Sequence, residues 1–201
     1  MQILEAALET LREDGFAGAS SRAIARRGGV NQALLFYHFG SLDSLLLAAL
    51  DRTSAERLER YRQAVGEART VAELVGVLGQ VYAEDRDLGH MTVVSQMVAG
   101  SVARPELAPA VLARMEPWLE LCEEALGKVL AELGLDEVVP LRELAYAVVT
   151  FYLGVNLLTH LDRERTRTDA LFAQVGTLSG ALSRLRQEPE RPGPGTREPA
   201  G

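Results

Sequence analysis

Between Asn31 and Gly40 the chain reads NQALLFYHFG, which groups hydrogen-bonding and aromatic side chains within about two helical turns. Gln32 can pair bidentately with adenine, and Ala33 or the Phe36 ring can touch a thymine methyl. The Tyr37 hydroxyl and the His38 imidazole can donate to phosphate. Spacing decides which of them point outward. Leu35 and Phe39 are four apart and share one helix face, where they can pack with Leu8, Leu11 and Ile24. Gln32, Ala33, Phe36 and Tyr37 are then directed away, with Leu34 and His38 on the flank and Asn31 at the helix start. Four adjacent rings cannot all enter one small core, so some must face a partner. The major groove of double-stranded DNA admits such a helix.

The neighbouring elements must hold that helix in place. Apolar residues at Ile3, Leu4, Ala7, Leu8 and Leu11 repeat with a helical period that ends near Gly15. A short helix is expected from about Ser21 to Arg27, capped by Ser20 or Ser21, with Ala23 and Ile24 inward. GGVN (Gly28–Asn31) reads as a tight turn, and Asn31 can cap the aromatic helix. Helix, tight turn and a second short helix with a polar and aromatic outer face outline a helix-turn-helix. Gly40 should break that helix and Ser41 cap the next, which continues to about Val65.

Charge supports this locally and opposes it globally. The net charge is −7, which on its face argues against a nucleic-acid partner. Yet Gly15 to Leu42 contains no acidic residue, and Arg22, Arg26 and Arg27 fall inside it. A single cysteine, Cys122, excludes an internal disulfide and fits a reducing cytoplasm. The N-terminal pattern is charged and helical, unlike a signal peptide. LAYAVVTFYLGVNLL (Leu144–Leu158) is expected to be a buried helix, too short to span a membrane comfortably. There is no phosphate-binding glycine loop, nucleophile elbow or metal-ligand cluster, so neither catalysis, a cofactor nor a metal is expected.

The rest of the chain also reads as helix, giving an all-α fold. TVAE (Thr70–Glu73) is a capping box. Helices are expected over His90–Val102, over Glu106–Leu133 with a kink at Pro117, over Pro140–Leu161 and over Asp169–Arg186. The division expected is a DNA-binding unit at 1–46, a larger helical unit at 47–187 and a disordered Pro/Gly-rich tail at 188–201. In the last helix Leu171, Val175, Leu178 and Leu182 form a heptad-like seam. The helix before it is apolar almost all round, with Leu144, Val148 and Phe151 on one side. Together they read as a dimer interface, a four-helix bundle across a two-fold axis.

Residues Ile3 to about Leu50, ILEAALETLREDGFAGASSRAIARRGGVNQALLFYHFGSLDSLLLAAL, resemble the N-terminal domain of TetR-family transcriptional regulators. The most specific pieces are IARRGGV, LLFYHFGS and the leucine-rich fourth helix. The resemblance implies a homodimer that reads a palindromic operator, usually as a repressor released by a small molecule. It aligns Gln32, Ala33 and Leu34 with base-contacting positions, Tyr37 and His38 with positions near bases and phosphates, and Arg22 with a backbone contact. Two departures are expected to lower nonspecific affinity. Leu42 stands where the family commonly has a phosphate-binding lysine, and Met1 already lies in the helical pattern where many members carry a basic arm. The larger unit exceeds what dimerisation needs, so it is expected to enclose a pocket for a small apolar effector. Met97, Trp118, Cys122, Tyr152 and Asn156 are its candidate residues. The alternative is a helical small-molecule sensor or adaptor with weakened or lost DNA binding.

Overall fold

The computed structural model describes residues 2–159, 161, 166–171, 173, 174 and 177. They form α1 (Gln2–Glu13), α2 (Gly15–Gly18), α3 (Ser21–Arg27), α4 (Gln32–Phe39), α5 (Leu42–Glu67), α6 (Val71–Leu88), α7 (His90–Ala103), α8 (Ala108–Ala113), α9 (Glu116–Leu133) and α10 (Leu141–Thr159), with a 3-10 turn at Pro105–Leu107. Among the described residues there is no strand. Residues 166–171 are helical, which touches the start of the last expected helix. The tail at 188–201 lies outside the described residues.

Side-chain caps start four of these helices. Ser20 accepts from the Ala23 amide, Asn31 from Ala33, and Ser41 from Ser44. Thr70 and Glu73 exchange both bonds of the expected capping box, at 3.2 and 3.3 Å. Gly40, at φ +74, lets the chain turn between α4 and α5, where a side chain would be strained.

A core of Leu8, Leu11, Ile24, Leu35, Leu45 and Leu46 joins α1, α3, α4 and α5. Leu35 is wholly buried, which contributes about 1.5–3 kcal/mol. With Phe39 packed partly against the same core, this side chain anchors one face of α4 and leaves the opposite face free. The same core continues into α7 through Met91, Val93, Val94 and Met97. Further ties span the junction. The Phe16 amide donates to Gln96 Oε1 at 2.8 Å, Arg104 pairs with Asp43, and Arg114 donates to Asp51 at 2.8 Å. The boundary expected at 46/47 falls inside α5, which runs unbroken from the first unit into the second.

Two expectations are corrected. Pro117 does not kink a long helix. The chain breaks at Arg114–Met115, and Pro117 sits in the first turn of α9, where a missing N–H costs nothing. The second concerns α10, which is long and apolar enough to cross a membrane and is not a buried helix within this chain. It packs on α9 at the outer side of the larger unit, leaving Tyr146, Phe151, Leu157 and Leu158 exposed.

Candidate functional site

The outer face of α4 presents the expected residues together. Asn31, Gln32, Ala33, Leu34, Phe36, Tyr37 and His38 are all exposed, while Phe39 turns partly inward. Tyr37 is 83% exposed, so its ring contributes almost nothing to the protein's own packing. It stands edge-on to His38, with centroids 5.2 Å apart. The Gln32 amide donates to Ser21 Oγ at 2.6 Å, which holds it across the turn between α3 and α4. The Asn31 side chain is occupied as a cap.

The three arginines of the acid-free stretch part company. Arg27 binds Glu13 at 2.5 Å and Asp14 at 2.9 Å. The Glu13 hydrogen bond is the main reason its pKa is raised. Its charge serves α1, not an external anion. Arg22 and Arg26 are exposed and form no ion pair among the described residues. Leu42 packs against the core, as an apolar residue should and a phosphate-binding lysine would not.

Behind this unit lies a cavity of about 390 Å³ between α5, α6, α9 and α10. Its walls are mostly Val, Leu and Met. Trp118, Cys122 and Tyr152 line it as expected. Met97 and Asn156 do not. Met97 lies in the core shared with the first unit. Asn156 is buried one turn beyond Tyr152 on α10 and donates to the Tyr152 carbonyl at 2.8 Å. Burial pushes the Cys122 thiol up to about 11, which leaves it protonated.

One end of the cavity is polar, and sequence reasoning missed it. Asp85 of α6 is fully buried and accepts from Arg57 of α5, from Tyr61 at 2.9 Å and from Tyr152 at 2.6 Å. The Arg57 guanidinium carbon lies 4.9 Å from the centre of the Trp118 ring, within reach of a cation–π interaction. Its Nε–H is buried without a partner. His90 Nδ1 stands 4.0 Å from Asp85. Burial, followed by the Arg57 charge, lowers the His90 pKa below its ordinary 6.5. Burial and then Asp85 raise Tyr61 to about 12 and push Tyr152 up as well.

Of the residues expected at a dimer interface, Leu144 and Val148 belong to the cavity wall and Phe151 to the outer face of α10. The outward apolar stripe of α10 therefore runs through Tyr146, Phe151, Leu157 and Leu158 instead. Leu171 is partly buried. Val175, Leu178 and Leu182 lie outside the described residues. No group of three or more His, Cys, Asp or Glu residues that could hold a metal occurs among the described residues.

Comparison with known proteins agrees with this arrangement. Residues 3–49 match the family model for bacterial regulatory proteins of the tetR family. The HTH-type transcriptional regulator UidR of Escherichia coli (strain K12) is 27% identical over 107 residues, covering 53% of this chain and 54% of that protein. The chain thus spans about half the length of the UidR relatives that it matches. The HTH-type transcriptional regulator BetI of Paraburkholderia phytofirmans is 26% identical over 190 residues, covering 90% of this chain and 81% of that one. Among solved structures, FadR from Bacillus subtilis in complex with stearoyl-CoA superposes with a TM-score of 0.75 at 17% identity, over 89% of this chain and 96% of that one. Salmonella enterica GusR does so at 0.73 and 21%, over 92% and 94%. With an N-terminal helix-turn-helix that matches the tetR family model over residues 3–49 and a second unit that is helical throughout its described residues, the chain is similar to TetR-family transcriptional regulators in sequence at its N-terminus and in overall fold.

Proposed function

We propose that this regulator is a repressor that binds a palindromic operator as a homodimer and is released by a small, mostly apolar effector. The observation that carries DNA reading is the exposed Gln32–Ala33–Phe36–Tyr37 face of α4, anchored from behind by Leu35. In this reading α4 enters the major groove, Gln32 leaves Ser21 to pair with a base, and Arg22 meets the phosphate backbone. The α10 stripe supports the homodimer, because an apolar face this size is seldom left in water. The 390 Å³ apolar cavity supports the effector. The structural neighbour FadR from Bacillus subtilis, which was solved in complex with stearoyl-CoA, lends support to a ligand with a long aliphatic chain.

The effector acts in this reading only if it binds more tightly to a dimer whose α4 helices no longer match successive major grooves. α5 is the connector, since it carries Leu45 and Leu46 in the first unit's core and Arg57 and Tyr61 at the cavity.

A second reading has a specific observation in its favour. Arg27 is tied to α1 and Leu42 replaces a cation, so Arg22 and Arg26 remain as the free cations of the helix-turn-helix. A sensor or adaptor with weakened DNA binding would look like this. Titration against fragments of the protein's own upstream region, at two salt concentrations, separates the two. With two arginines in each half of a dimer, the repressor reading expects a log–log salt slope of about −4. Gln32→Ala should cost about 1–3 kcal/mol on the operator and relax preference at one base pair per half-site. Arg22→Ala should weaken all DNA alike and flatten the slope. Absence of any sequence-preferring fragment would favour the adaptor.

A further inference from the structure

We propose that the effector is an uncharged, elongated amphiphile, with an aliphatic body along the cavity and a single neutral hydrogen-bond acceptor seated at Arg57. This rests on the effector-release reading above and specifies its ligand.

Shape comes first. The cavity wall follows α6 from Val71 to Asp85 and α9 from Trp118 to Leu130. At 1.5 Å per residue these stretches are about 21 and 18 Å long. The space is therefore drawn out along the helices, and its polar groups cluster at the Arg57–Asp85 end. An elongated body with one polar terminus matches that distribution.

Charge narrows the choice of terminus. Among the lining residues, Arg57 and Asp85 are the acid–base pair, and they are bonded to each other. Their sum is zero. The Cys122 thiol and the Tyr61 and Tyr152 hydroxyls stay protonated at neutral pH. A carboxylate here would set two anions against one cation in a largely apolar site, and an ammonium would set two cations against one anion. Either leaves an uncompensated buried charge.

Donor and acceptor counting then chooses among neutral groups. Both Asp85 oxygens are already engaged, by Arg57, Tyr61 and Tyr152. Arg57 has five N–H donors. Its bond to Asp85 runs through Nη2, and its Nε–H is buried with no acceptor. Buried polar groups normally have partners, so what this end lacks is an acceptor. A ketone or ester carbonyl supplies one without adding charge.

The protein's single tryptophan, Trp118, lies against Arg57 and reports on this end. Full-length protein would be titrated with 2-tridecanone, tridecanoate and tridecylamine near neutral pH, following Trp118 fluorescence and thermal shift. The ketone should change Trp118 emission and bind at least about tenfold more tightly than either charged analogue. Asp85→Asn keeps the shape and leaves Arg57 without its counter-charge, so it should invert the order in favour of tridecanoate. Wild-type protein that binds tridecanoate as tightly as the ketone, or binds none of the three, overturns the proposal. So does a folded Asp85→Asn protein with the wild-type order. If Asp85→Asn does not fold, the wild-type ranking decides alone. Operator affinity is read separately. A ketone that binds as expected without weakening operator binding would refute release while leaving the ligand class intact.

Discussion

Gly100→Ala tests whether the DNA-binding unit is docked on α7 as described. A Cβ at position 100 would stand 2.5 Å from Phe16 Cγ and closer still to Cδ2 and Cε2. Carbon atoms normally rest about 3.5–4.0 Å apart, so the ring must retreat by about 1 Å. Little room is available, because Phe16 packs against the shared core, its amide is bound to Gln96, and Arg104 lies over its ring at 5.6 Å. Overpacking of this kind costs about 1–3 kcal/mol, offset by about 0.5–1 kcal/mol because alanine is the better helix former within α7. For a chain of this size the net loss lowers the melting temperature by up to about 10 °C. Thermal unfolding followed by circular dichroism reads the loss, with Phe16→Ala and the double variant completing a cycle. Removing the ring should relieve the clash, giving a favourable coupling of at least about 1 kcal/mol. Because the helix-propensity gain cancels in the cycle, a coupling under about 0.5 kcal/mol would refute the contact and the docking built on it.

Phe151→Glu with Leu158→Glu should yield monomers in sedimentation, since both side chains are exposed in the single chain and their loss spares its core. An unaltered dimer would place the interface elsewhere. Arg57→Met should cost about 3–5 kcal/mol in urea unfolding, because Asp85 is left buried without its cation. Adding Asp85→Leu should recover most of the loss, and a single-variant loss under about 1 kcal/mol would contradict the buried pair. His90 faces Arg57, Arg12, Arg60 and Asp85, and its folded pKa is depressed from 6.5. The unfolded chain therefore takes up the proton first as pH falls. The contribution of His90 is complete above about 6.5 and is lost as pH drops through the folded value. His90→Gln should flatten the dependence of melting temperature on pH just below 6.5, and an unchanged slope would assign that titration to another group.

The helix-turn-helix was legible because its signals are local. Ser20, Asn31 and Ser41 lie a few residues from the amides that they cap. Leu35 declares the inner face of α4 by spacing alone. The cavity was less legible for two physical reasons. First, α10 is apolar on several sides, so periodicity could not separate the wall residues Leu144 and Val148 from the outward Phe151. The same ambiguity hid the fact that Asn156 turns its amide nitrogen to the Tyr152 carbonyl of its own helix. Second, Arg57 and Asp85 are 28 residues apart, each in a stretch rich in charge, where exposure is the ordinary outcome. Only the packing of α5 on α6 brings them together. The aromatic residues Tyr61 and Trp118 near Arg57 were the one available hint, since a guanidinium among rings tends to be held rather than solvated.

The unbroken length of α5 makes it a lever arm. Arg57 stands 15 residues beyond Leu42 on the same helix (57 − 42), a span of about 22 Å. A tilt of about 5° pivoting at Arg57 would carry the start of α5, with Gly40 and α4 attached, through about 2 Å. The two halves of a dimer would shift together, so the separation of their α4 helices could change by up to about 4 Å against a groove repeat of about 34 Å. Under the proposed release by an effector, a sub-ångström adjustment where the ligand meets the guanidinium would be magnified at the far end of the helix. Stiffness between the two ends would then matter to the response as much as ligand affinity does. A substitution that loosens the helix by about 1 kcal/mol at an exposed position between them, such as Ala55→Gly, would absorb part of the tilt before it reached α4.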